Sequence, residues 1–269
     1  MTALRLDGEV VARYRDGADV APVLSPRPYL EAWTRGGVAV TEVGPDDHLH
    51  HLGLSTAIPD VSRSSFWGGR TFVRGTGSTL LDNHGVQRVV AHEAVEDGVD
   101  ETLAWHGADG RELITEERAI RVGAAAGGWR LRWVSRLFAA ADGVEFGSPQ
   151  TNGRDGAFYG GVFWRTPFGD ADVFSADGGG TDVVHGSRSP WLGVSTPAAS
   201  LVAVTRGGMP WFVRTGGYAG FGPAVAVEER RVLAAGEELV LDLEVVVRDG
   251  PVDPEHAARI AAQAGVAVA

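Results

Sequence analysis

The sequence contains no cysteine, so neither a disulfide nor a thiolate enters its chemistry, and any metal ion would have to rest on histidine, aspartate or glutamate. No apolar run approaches the ~20 residues that a helix needs to cross a bilayer. Positive charge is scarce as well. Against 35 acidic residues stand 24 basic ones, for a net charge of -11, which argues against a nucleic-acid partner because phosphate binding draws on clustered cations. No Ser nucleophile elbow, P-loop, kinase set, dinucleotide fingerprint or HExxH stretch is present. Internal repeats, heptads and low-complexity tracts are also missing. The opening residues are broken by Asp7, Gly8 and Glu9 where a secretory signal would be apolar. The expectation is a cytoplasmic protein that does not enter the membrane.

What the chain does have is enough apolar material for a core, 44% hydrophobic against 22% charged over 269 residues, and a pervasive period of two. Residues 1–269 are read as one domain, since β-sandwiches often reach this length as a single unit. Trp129, Leu131, Trp133, Ser135 and Leu137 fall on one face of a strand, with Arg130, Arg132 and Arg136 on the other. Leu239, Leu241, Leu243, Val245 and Val247 repeat the pattern after an Ala235-Gly236 turn. Further strands are predicted over 4–13, 37–43, 86–92, 100–105, 112–122, 200–205 and 210–213. Along 112–122, Glu116 and Arg118 share a face with Ile114, Ile120 and Val122, which suggests an inward ion pair. The 38 glycines gather between these runs, where turns are required. One helix is predicted, from Pro254 to Ala264, with Asp253 as N-cap and Gly265 as its end. The fold class expected is all-β: an antiparallel two-sheet β-sandwich with one short C-terminal helix.

Three long irregular stretches, 44–69, 147–161 and 176–192, hold most of the unusual chemistry. The first carries Asp46-Asp47-His48-Leu49-His50-His51. If extended, it puts His48 and His50 on one face, able to chelate a divalent metal, and His51 on the other. Phe66-Trp67-Gly68-Gly69-Arg70 joins an aromatic platform to a guanidinium, and Asp82-Asn83-His84-Gly85 follows it. In the second stretch Asn152 and Tyr159 precede Trp164 and Arg165; the third brings His185 and Trp191. Each group also has a plain structural explanation, as core histidine, core aromatic or turn. Four polar loops without evident local duties are nevertheless more economically explained by one shared cleft, so Arg70, His84 and Asn152 are expected near His48–His51.

Read in order, several stretches resemble the bacterial PmoA-like family, also labelled methane-oxygenase-like. They are 47–54 (DHLHHLGL), 66–71 (FWGGRT), 82–85 (DNHG), 115–118 (TEER), 151–154 (TNGR), 159–165 (YGGVFWR), 185–191 (HGSRSPW) and 210–214 (PWFVR). Leu49 and Leu52 stand where the family usually has proline and arginine. Methane monooxygenase subunits lie in the membrane, whereas this chain has no span for one. The resemblance implies instead a sandwich similar to galactose mutarotase, among families that process sugars.

The function expected is histidine-assisted proton transfer on a sugar or oxidised (keto) sugar, with a small-molecule carbohydrate as partner. His51 and His185 are the candidate acid and base, with His50 and His84 as alternatives. Trp67, Arg70, Asn152, Tyr159, Trp164, Arg165 and Trp191 are the candidate substrate-binding residues. No cofactor is required by this reading; in a metal-dependent version His48 and His50 would hold the ion. A non-catalytic sugar-binding or assembly module and a cupin-like metal-dependent enzyme are the alternatives.

Overall fold

The alternation resolves into two large sheets in the computed structural model, which describes residues 1–265. The smaller has seven strands in the order Thr2–Leu6, Glu9–Arg15, Tyr29–Ala32, Leu54–Ala57, Gly161–Thr166, Ala219–Pro223 and Trp211–Arg214. The larger has nine: Gly178–Gly179, Asp172–Ser175, Trp191–Ser195, Ala199–Thr205, Glu238–Asp249, Gly128–Ala139, Glu112–Ala125, Gly98–His106 and Val86–Val95. Neighbouring strands in both sheets pair antiparallel. The protein is an all-β sandwich.

Packing follows from side-chain alternation. In the larger sheet Ile120, Trp133 and Leu243 stand in register across three strands, and the predicted face of Trp129, Leu131, Trp133 and Leu137 is fully buried while Arg130, Arg132 and Arg136 are exposed. From the smaller sheet come Val11, Leu30, Leu54, Val162, Trp164, Trp211, Val213 and Phe221, in the same apolar cluster. The helix Pro254–Gln263 is capped as expected, Asp253 Oδ1 accepting from the His256 N–H at 2.7 Å. It covers a second cluster containing Trp191, Phe174, Val202 and Ile260. Among the described residues no helix is long and apolar enough to cross a membrane.

One polar device lies inside the sandwich. Arg118, with no exposed side-chain surface, donates twice to Glu116, from Nε and Nη2 at 2.8 Å each, and once to Glu101 at 2.8 Å. Its Nη2 also reaches Gln87 Oε1 at 3.2 Å, and its guanidinium lies 4.6 Å over the Trp133 ring. Trp105 Nε1 donates to Glu116 and the Tyr14 hydroxyl to Glu101. The inward pair expected from Glu116 and Arg118 is thus a network drawn from several strands.

Elsewhere the local pattern misled. Residues 4–13 form two strands joined through Asp7 and Gly8, both at positive φ. Residues 37–43 make only isolated bridges, Trp33 to Ala39 and Val43 to Leu52, because their main chain is spent closing loops. Conversely, Leu54–Ala57, inside the stretch 44–69, and Gly161–Thr166, at the end of 147–161, are buried central strands where the sequence looks irregular.

Candidate functional site

The site is built on the outer face of the seven-stranded sheet. Along Gly161–Thr166, Val162 and Trp164 point into the core, so Phe163 and Arg165 point outward. The same parity along Trp211–Arg214 buries Trp211 and Val213 and turns Phe212 and Arg214 out. Loops cross over this face. They enclose a cavity of about 480 Å³ lined by residues 46–51, Trp67, Arg70, Arg154, Tyr159, Phe212, Arg214 and Tyr218, among others. Its aromatic wall is continuous, with ring centroids at 4.4 Å for Trp67–Tyr159 and 5.5 Å for Tyr159–Phe212, and Phe163 backs Trp67 at 4.8 Å.

The histidine segment is two consecutive turns, not a strand: His48 N–H donates to the Pro45 carbonyl and His51 N–H to the His48 carbonyl, each at 2.9 Å. Gly44 N–H to the His51 carbonyl at 2.7 Å closes the loop at its base. The turns therefore gather all three imidazoles, with His48 stacked on His51 at 4.6 Å and His50 edge-on to His51 at 4.8 Å. Underneath sits Arg27, buried and without a carboxylate, donating to Ser55 Oγ and to the carbonyls of Leu24, Ser25 and His50. Burial pulls its pKa down to about 9. Gly68 and Gly69, at φ +92° and +70°, are required here, since a Cβ on Gly69 would come within 2.8 Å of His50 Nδ1.

Hydrogen bonding sets the tautomers. A carboxylate only accepts, so Asp47 Oδ2, 2.7 Å from His48 Nδ1, places the ring proton on Nδ1 and leaves the Nε2 lone pair available. A guanidinium only donates, so Arg165 Nη1, 3.2 Å from His51 Nδ1, forces the opposite arrangement, a proton on Nε2. Arg165 is held by Glu42 at 2.8 Å, approaches Asp47 at 3.8 Å and lies 3.7 Å over the Tyr218 ring. His51 is neutral, its pKa driven far below the ordinary range by burial and then by His50 and His48. Burial, followed by the Arg27 charge, brings His50 down to about 4.

These depressed values tie stability to acid. Below about pH 6.5 the unfolded chain takes up protons that the folded rings refuse, so stability is full above that pH and declines as the pH falls towards about 4. Urea unfolding of the wild type is expected to lose free energy across this window, and His50→Gln to lose less. Nitrogen-15 NMR should find His51 as a neutral Nε2–H ring down to the onset of unfolding. A freely titrating His51 near its ordinary value would contradict the geometry.

A model described as a family of unknown function, DUF6807, matches residues 1–262. The chain belongs to that family. No curated protein matches it.

In this DUF6807 chain the cavity unites His50, His51, Trp67, Arg70 and Tyr159 of the residues singled out from sequence, together with His48. Arg165 stands immediately behind them, 3% exposed, and acts through His51. The remaining candidates are elsewhere. His185 accepts from the Val213 N–H at Nδ1 and so donates from Nε2 to the Gly156 carbonyl, at 3.2 and 3.0 Å; both nitrogens are consumed in clamping a loop. His84 holds the Gly69 carbonyl at 2.8 Å and faces a different depression. Asn152 belongs to a structural network with Asp60 and Arg230. Trp164 is core, its indole donating to the Val40 carbonyl at 2.7 Å, and Trp191 lies beneath the C-terminal helix. The expected convergence of Arg70, His84 and Asn152 on the histidines therefore holds for Arg70 alone. Among the described residues no group of three or more His, Asp or Glu side chains has metal-binding geometry, and the His48 and His50 rings are 5.6 Å apart and tilted by 55°.

Tyr218, Arg214, Arg154, Phe163 and Asp47 had no assigned part in the sequence reading. Arg165, Phe163, Phe212 and Arg214 were detectable by parity along two strands. Tyr218 carries only the local sign of Gly216-Gly217, both at positive φ.

Proposed function

We propose that this cavity binds an oxidised sugar and moves a proton at the carbon beside its carbonyl. The observation that carries the reading is the pair of stacked imidazoles held in opposite tautomers, His48 offering a lone pair at Nε2 and His51 a proton at Nε2. His48 takes the proton from carbon, and the electron pair of that C–H bond becomes the enolate. His51 keeps its proton and donates a hydrogen bond to the oxygen that gains charge; a neutral imidazole suits this because it stabilises the anion without surrendering the proton. Asp47 stabilises the imidazolium formed on His48. Return of the proton to carbon completes exchange, or epimerisation if it arrives on the other face.

The ligand class rests on lining and size. A volume of about 480 Å³ suits a mono- or disaccharide, and Tyr159, Tyr218 and the edge of Trp67 provide aromatic surface beside guanidinium donors. The motif resemblance, with the mutarotase-type sandwich and sugar-processing neighbours it implies, supports this choice.

The test is hydrogen–deuterium exchange, followed by proton NMR in D₂O, over a panel of keto-sugars and of aldoses with their anomers, comparing the wild type with His48→Ala. Accelerated loss of a C–H signal adjacent to a carbonyl, abolished in the variant, is expected. Saturable binding with no accelerated exchange of any sugar would reduce the site to a binding module.

A further inference from the structure

The charge around the cavity is the reverse of that of the chain. In a protein of net charge -11, three arginines line this one cavity, Arg70, Arg154 and Arg214, against two carboxylates, Asp46 and Asp47. The three come from different places: the loop after Trp67, the loop before Tyr159, and the end of strand Trp211–Arg214. Their charge is not spent inside the protein. Arg70 donates to the Ser78 carbonyl at 3.2 Å and Arg214 to the Gly156 carbonyl at 2.9 Å, and among the described residues none of the three is in an ion pair. The other arginine at the cavity, Arg165, is neutralised by Glu42. Both Arg154 and Arg214 act on the Tyr159 and Tyr218 phenols: burial raises these two pKa values, and both guanidinium charges oppose the rise.

We propose that the ligand of this cavity is a sugar acid, recognised through its carboxylate by Arg154 and Arg214. The inference deepens the proton-transfer reading by naming the substrate class, and it rests on that reading only for the sugar part. The arginine pair fits a carboxylate because a guanidinium presents paired N–H donors in the plane of two oxygens. The lining favours an anion over a neutral sugar: three arginines stand against two carboxylates, the unpaired Arg27 lies beneath the histidines, and His50 and His51 are neutral. A carboxylate held here would sit beside the aromatic wall, leaving the sugar ring towards His48 and His51.

Isothermal titration of the full chain with glucuronate, galacturonate and gluconate, their neutral counterparts glucose, galactose and sorbitol, and glucose 6-phosphate tests this. At least one acid should saturate the protein at millimolar concentration, roughly tenfold or more tighter than its neutral counterpart, and lose that preference in Arg154→Met and Arg214→Met. Arg154→Met is the safer variant because Arg154 is exposed and the bonds it contributes to its loop are main-chain, its N–H donating to the Pro149 carbonyl and its carbonyl accepting from the Ala157 N–H, which the substitution keeps. Rising salt should weaken acid binding in the wild type. Equal or better binding of the neutral sugars, preference for the phosphate, acid binding unchanged in both arginine variants, or no acid bound would each overturn the proposal. Acid binding without carbon-bound hydrogen exchange leaves the charge recognition standing and removes the proton transfer. Exchange of a neutral keto-sugar, indifferent to both arginine variants, does the opposite.

Discussion

Replacing Arg118 by methionine is expected to destabilise the protein by about 3–5 kcal/mol, the range for removing one member of a buried ion pair. The loss comes less from the bonds given up than from what is left behind. Glu116 and Glu101 would face each other inside the sandwich without the guanidinium between them, Glu116 keeping the Trp105 indole and Glu101 the Tyr14 hydroxyl, with the His92 ring 4.0 Å from it. Burial already raises the Glu101 pKa, with the Arg118 charge as the main opposing influence, so the variant should drive Glu101 towards the protonated form. Urea midpoints with unchanged slope would measure the effect. A triple variant, Arg118→Met with Glu116→Leu and Glu101→Gln, should recover much of the loss, because an apolar replacement removes the stranded charges together with their partner. A single-variant loss below about 1 kcal/mol, typical of an exposed pair, would mean that the network is not as enclosed as the geometry has it.

At the cavity, His48→Ala is expected to slow hydrogen exchange on the substrate by about 10²–10⁴-fold, the usual contribution of a positioned general base. The loss should fall on kcat more than on KM, since the base meets its proton only as the bond breaks. Folding should be little changed, His48 being part-exposed on a turn whose bonds are main-chain. Asp47→Asn separates orientation from charge. An amide donates as readily as it accepts, so the His48 ring loses the group that fixes Nδ1–H, and the imidazolium loses its counter-charge. Exchange should fall again, while sugar binding by titration persists. If His48→Ala retained the wild-type exchange rate, the base would have to be sought elsewhere along the cavity.

The parts of the fold that the sequence disclosed are those where neighbours along one strand carry the information. Trp129 to Leu137 and Leu239 to Val247 alternate so strongly that their buried faces could be named outright, and the Asp253-Pro254 start defined the helix. Loops were harder. Extending 46–51 as a strand separated His51 from His48, although Gly44, Pro45 and Gly53 already marked a closed turn. Parity also governs Phe163-Trp164-Arg165, where adjacent residues cannot both face one cavity, so of the two expected ligand contacts Trp164 and Arg165 only Arg165 points outward. His84 and His185 stand out in sequence only by residue type and nearby aromatics. What decides their role is which carbonyls and N–H groups the folded chain brings to each ring, over spans such as Gly156 to His185 that no local pattern encodes. Arg214 reaches the cavity by pairing with Gly220, which in turn pairs with Arg165, and Tyr218 stands in the bend just before that strand.

The outward side chains of Gly161–Thr166 and Trp211–Arg214 share their strands with core residues but not their surroundings. Selection can therefore act on the two sides separately. Changes at Val162, Trp164, Trp211 or Val213 are judged by packing, and lineages that alter them must repack the interior at once. Changes at Phe212 or Arg214 are judged by what occupies the cavity, and changes at Arg165 by how they leave His51. A single scaffold of this kind can diversify its ligands one outward position at a time, with inward positions drifting slowly and in concert, and members of DUF6807 are expected to differ from one another in that two-speed manner along the same two strands.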